Sequence, residues 1–169
     1  MNYNNGTSFN LLEFQLNSIK HYCIWYLDPN MNEQFICTNH QINIYYNKEQ
    51  AINFLSTQNI EYDFISYDLD FIFHYCNTAT SMEVPPDVCS KILDFINIAT
   101  DILNFYHKKV QEETTFKTVY DKLFFGENLL HNSNKRYVPF FDKKELESLK
   151  HHIRMYINCI QPYLFPHSN

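Results

Sequence analysis

"EYDFISYDLDFIFHY", residues 61–75, decides how the chain divides. Glu61, Asp63, Asp68 and Asp70 are interleaved with aromatic and aliphatic side chains, and the stretch then turns apolar with no base in it. Read as a strand, Tyr67, Leu69, Phe71 and Phe73 share one face, and Asp68 and Asp70 point the other way. Read as a helix, Phe64, Tyr67, Phe71 and Tyr75 form a stripe at 3–4 spacing. A slip in the alternation between Phe64 and Ile65 implies a bend in the strand reading. We read an extended segment to about Asp70, followed by a helical turn.

Upstream, the pattern is β. "HYCIWYLD" (21–28) is rich in strand formers, and Asp28-Pro29-Asn30 supplies turn chemistry after it. "QFIC" (34–37) and "QINIYY" (41–46) read as two further short strands, which predicts an antiparallel meander. "NKEQAINFLSTQN" then starts a helix, with Asn47 as cap, Gln50 reaching back, and Ala51, Phe54 and Leu55 as its apolar stripe. Downstream, the pattern is helical. "VPP" (84–86) opens a helix of about 20 residues, in which Val88, Ile92, Phe95, Ile96, Ala99, Ile102, Leu103 and Tyr106 recur at helical spacing. "TTFKTVYDKLFFG" predicts a shorter helix with Gly126 as its C′ residue. "NLLHNSNKRYVPFF" reads as a loop. Asp142 with Glu145 is a capping signature for a last helix that buries Leu146, Leu149, Ile153, Tyr156, Ile157 and Ile160 and stops at Pro162. The expected fold is α+β: a small N-terminal antiparallel sheet of about three strands with one helix, then a mainly α-helical C-terminal half. Residues 1–169 read as a single domain.

Composition sets the class. Of 169 residues, 45% are hydrophobic and 19% charged, which suits a packed globular chain and argues against disorder. The wealth of Asn, Ile, Tyr, Phe and Lys follows AT-rich codons, as in a mobile bacterial locus or an AT-rich virus. No signal peptide is visible and no membrane-length apolar run is present. "NGT" at 5–7 matches a glycosylation sequon, which has no meaning without export. Net charge is −6 and unevenly spread. The window Glu61–Asp101 holds eight acids against Lys91 alone, while the part after His107 is net basic. Such a field repels nucleic acid and anionic membrane and attracts a cationic partner. A solvated face with no partner is the other reading of the same charge.

Motifs for catalysis are sparse. With only two glycines, neither common phosphate-binding loop can be built. His74-x-Cys76 with Cys89 lacks structural-zinc spacing. No nucleophile-elbow or cysteine-protease signature occurs. Of His151 and His152, one is expected to face solvent and the other to border the core. Asp68-x-Asp70 resembles the DxD pair that holds a divalent cation in sugar-nucleotide transferases, and both residues would share one face of a strand. The nucleotide-binding βαβ pattern that accompanies such a pair is missing. Tyrosines interleaved with acids suit a protein interface instead.

The stretch "HYCIWYLDPNMNEQFICTNHQINIYYNKEQAINFLSTQNIEYDFISYDLD" resembles the opening of small immunity proteins from bacterial polymorphic-toxin and contact-dependent growth-inhibition systems. The shared features are a short strand pair, a strand followed by the "NKEQA" helix, and the acidic "YDLD" at Tyr67–Asp70. The resemblance covers the first 70–80 residues. It implies a non-enzymatic cytoplasmic protein that binds one cognate toxin domain, basic and of the RNase or DNase kind, and blocks its active site or substrate surface. The expected partner-binding residues are Glu61, Asp63, Tyr67, Asp68, Asp70, Glu83, Asp87, Asp94 and Asp101. Asp68 and Asp70 are expected at the centre, both exposed, so that charge reversal leaves the fold intact. No catalytic residue, metal or cofactor is assigned, and no direct contact with nucleic acid or membrane is expected. Two alternatives stand beside this reading: a small enzyme using Asp and His residues, and an intracellular viral protein that binds a host factor. Five cysteines without an export signal predict reduced thiols. Thiol titration of the unfolded protein without reductant should find all five; a resistant pair would place the chain in an oxidising compartment.

Overall fold

The computed structural model describes residues 7–78, 83–110, 113–128 and 137–166. Asn5 and Gly6 of the sequon, and residues 129–136 of the expected loop, lie outside the described residues. Contacts group the chain into two compact units, residues 1–70 with 161–169, and residues 71–160.

The first unit is built on a strand that lies upstream of those expected. β1 (Ser8–Leu16) pairs antiparallel with β2 (Ile19–Leu27) through a two-residue turn, and every side chain from Phe9 to Phe14 is buried. Asn17 and Ser18 in the turn have φ of 52° and 62°, the left-handed pair that matches the twist of a tight hairpin. β3 (Glu33–Phe35) continues the antiparallel order beside β2. β6 (Asp63–Asp68) then joins β1 in parallel, so the sheet is mixed, with order β3-β2-β1-β6. The expected α+β order holds, a sheet with one helix followed by a mainly helical half; the sheet has four strands, three in antiparallel order and one parallel, where about three antiparallel strands were expected. The expected strands 34–37 and 41–46 contract. β4 (Cys37–Thr38) and β5 (Gln41–Ile42) form a separate two-stranded ribbon.

α1 (Lys48–Thr57) starts as expected. The Gln50 amide donates to Asn47 Oδ1 at 2.9 Å, and Gln50 Oε1 accepts from the Tyr46 amide at 3.3 Å. Ala51 and Leu55 of α1 join a core with Phe9, Leu11, Tyr22, Ile24 and Ile36. On β2, the His21 ring N–H donates to the Leu164 carbonyl at 2.7 Å, and the ring stacks on Phe165.

The interior of this unit holds one carboxylate. Glu13, 7% exposed on β1, accepts from Tyr22 Oη on β2 at 2.8 Å, from Ser66 Oγ on β6 at 2.9 Å and from Lys20 Nζ at 3.0 Å. Burial alone would raise its pKa, but the bonds from Tyr22, Lys20 and Ser66 outweigh burial and hold it below the ordinary value. The same contact pushes the Tyr22 hydroxyl up to about 12, through burial first and the Glu13 bond and charge second.

The second unit is helical. It holds α2 (Leu69–Thr78) from Phe71 on, α3 (Pro86–Phe105), α4 (Thr114–Gly126), and α5 (Lys143–Leu164) up to Ile160. The expected stripe of α3 is buried from Val88 to Leu103, and Tyr106 caps the helix end. The box at α5 closes in both directions. The Glu145 amide donates to Asp142 Oδ1 and the Asp142 amide to Glu145 Oε2, each at 2.8 Å. His152 is buried and stacks on Phe116 at 3.9 Å, while His151 is exposed. Two expectations are corrected. Pro162 does not stop α5, which runs to Leu164; the amide that proline lacks would have bonded Asn158, an exposed residue whose carbonyl water can serve. Gly126 is the last residue of α4 and not a left-handed C′. A Cβ there would stand 2.7 Å from Cys89 Sγ and 2.9 Å from Pro139 Cγ, so close packing requires the glycine.

Replacing Glu13 with leucine should cost about 1–3 kcal/mol in urea unfolding, because the Tyr22 and Ser66 hydroxyls lose their buried acceptor. Since the folded pKa lies below the unfolded one, this stabilisation is complete above the unfolded value, near 4.5, and fades as pH falls through the lower folded value. Glu13→Gln should flatten that acid limb; an unchanged limb would show that the network carries no stability.

Candidate functional site

The nine expected residues fall in different settings. In the first unit, Glu61 precedes β6, Asp63 begins it and Asp68 ends it, and all three are exposed. Between them, Phe64 is 44% exposed and Ile65 37%. Neighbouring side chains on a strand point to opposite faces, so β6 shows one apolar group on each face. The expected bend at this pair is a plain strand with both faces accessible. Lys48 Nζ of α1 lies 3.5 Å from the centre of the Phe64 ring, a cation–π contact at the rim of this surface.

Tyr67 does not belong to that surface. It is buried and stacks on Phe14 at 5.0 Å, so it packs the sheet and is not available to a partner.

Asp70 also departs from expectation. The strand ends at Asp68 and α2 begins at Leu69, so Asp68 and Asp70 do not project from one strand face as a DxD pair would. Both Asp70 oxygens are engaged at the β1–β2 turn: Asn17 N–H donates to Oδ1 at 2.7 Å and Ser18 N–H to Oδ2 at 2.9 Å. Asparagine tolerates positive φ, but serine does so only at a cost. The carboxylate offsets that cost by binding both amides. Asp70 is therefore a clamp on the hairpin.

In the second unit, Asp87, Asp94 and Asp101 lie on α3 seven residues apart. Seven residues are nearly two full turns, so the three form one acidic line along the helix. Elsewhere on α3, Asn97 Oδ1 accepts from Tyr120 Oη of α4 at 2.8 Å. Partial burial first, and the charge of Glu127 second, push the Asp94 carboxyl up, while the Ser90 hydroxyl pulls it down. Glu83 is exposed and pairs through its backbone with Phe140. Lys91 and Arg154 lie over the exposed rings of Phe71 and Phe73, so cations cover the aromatic side of α2.

Among the described residues, no three His, Cys, Asp or Glu side chains converge on a metal-sized space. Cys23, Cys76 and Cys89 are buried thiols, each pushed up chiefly by desolvation, which is the reverse of what a nucleophile needs. Among the described residues, no helix is long and apolar enough to cross a membrane. No protein-family model, curated protein or solved structure matches the chain.

Asp70→Ala should destabilise the protein by about 1–3 kcal/mol and speed hydrogen exchange at the Asn17 and Ser18 amides. This reverses the expectation that the fold tolerates charge reversal there. Exchange at wild-type rates would rule out the clamp.

Proposed function

We propose that this chain is a cytoplasmic immunity protein that binds one cationic toxin domain and covers its active or substrate-binding surface. The observation that carries this reading is the combination on β6: exposed Asp63 and Asp68 flank exposed Phe64 and Ile65, with Glu61 just outside. Acids alone suit a solvated face. Acids beside exposed apolar side chains suit a protein interface, where apolar contact supplies desolvation and the charges steer the approach. A nuclease domain is the fitting target, because its substrate surface must be positive to hold a phosphate backbone. The resemblance of residues 21–70 to immunity proteins supports the same reading. Asp63 and Asp68, not Asp68 and Asp70, are its central acids.

Co-expression with the polypeptide encoded beside this chain tests it. The wild-type chain should rescue growth and co-purify with that polypeptide. Asp63→Lys with Asp68→Lys should weaken binding at least tenfold, mainly through association rate, and the wild-type rate should fall as salt rises. Lys143→Glu with Lys144→Glu should bind normally. If the acid reversals bind normally and the lysine reversals abolish binding, the partner is acidic and the reading fails.

A further inference from the structure

Resting on that reading of β6, we infer that the strand receives its partner by strand addition: an extended cationic segment of the partner pairs with the outer edge of β6. β6 bonds to β1 on one side, and among the described residues no strand pairs with its other side. Natural sheets guard such edges with short strands, prolines or lysines. The opposite edge follows this practice, since β3 has three residues. β6 has six, carries neither proline nor lysine, and exposes five of its residues. Six residues span about 20 Å, enough for a full complement of ladder bonds.

The acids select the occupant. A second copy of this chain is disfavoured: an antiparallel pair of β6 strands in symmetric register sets Asp63 of one opposite Asp68 of the other, like charge on like charge. A strand with cations at those two places has the opposite outcome. Asp63 and Asp68 are five residues apart, so they stand on opposite faces. Phe64 and Ile65 also stand on opposite faces. The complementary segment therefore carries two basic residues five apart, with two adjacent apolar residues between them. Backbone pairing then gives affinity, and the alternate side chains give specificity.

The probe is a cyclic β-hairpin peptide whose outer strand reads lysine, threonine, threonine, valine, valine, lysine, titrated into the isotope-labelled full chain. Amide resonances of residues 63–68 should move, and replacing the lysines by glutamates should weaken binding at least tenfold. N-methylating the outward amides of that strand should do the same. So should Ile65→Lys, which places a guard on the edge; if that variant does not fold, Asp68→Lys at the exposed strand end replaces it. Binding that survives N-methylation would overturn strand addition and leave the acidic interface standing. A lysine hairpin that fails to bind, or that shifts resonances elsewhere, would overturn the inference as well. The toxin reading stands or falls separately, on the co-expression result.

Discussion

A buried carboxylate at the centre of a sheet must be satisfied or it destabilises everything around it. Glu13 meets that constraint by drawing on three strands. Its own position on β1, the Tyr22 hydroxyl on β2 and the Ser66 hydroxyl on β6 define one point that all three must reach, and Lys20 adds charge from the rim. A slip of one residue in either pairing would turn the partner hydroxyl to the opposite face and leave the acid alone. The network thus specifies register, for the antiparallel pair and the parallel pair together. It does so beside an apolar core that α1 closes from the same face, through Ala51 and Leu55.

Register at β6 is what gives the candidate surface its form. The Ser66 hydroxyl is bonded to Glu13 and Tyr67 is stacked on Phe14, so the strand is anchored at its C-terminal part. Phe64 and Ile65 are left exposed ahead of that anchor, with Asp63 and Asp68 at the strand ends. Just beyond, Asp70 ties the start of α2 to the β1–β2 turn. Acids only two residues apart in sequence therefore have different work: Asp68 belongs to the surface and Asp70 to the frame that holds it.

The helical unit depends on close approach more than on polar specification. Gly126 lets the end of α4 meet Cys89 on α3 and Pro139 at distances that any side chain would obstruct. Beyond Gly126, Asn128 takes the left-handed conformation with φ of 60°. Its side chain accepts from the Tyr137 amide and donates to the Tyr137 carbonyl. The acidic line of α3 is a consequence of the helix period, while the partly desolvated Asp94 within it lies in the field of Glu127.

The helices were legible because their signals are local. The Asn47 cap, the Asp142–Glu145 box and the buried stripe of α3 each arise within a few turns of one helix, and all three recur in the structure. β1 was not legible. A central strand buried on both faces has no alternation to detect, and its turn is Asn-Ser without glycine, so the usual hairpin signature is missing. The parallel docking of β6, the burial of Tyr67 and the engagement of Asp70 share a further cause: each depends on a group about fifty residues away in the chain. By itself, the sequence determined the α+β order, the helix limits at their capped ends and the acidic balance of residues 61–101. Only the tertiary structure decided that Asp70 is engaged at the β1–β2 turn, because a carboxylate's role follows from the donors the fold brings to it, and the Asn17 and Ser18 amides lie about fifty residues away along the chain.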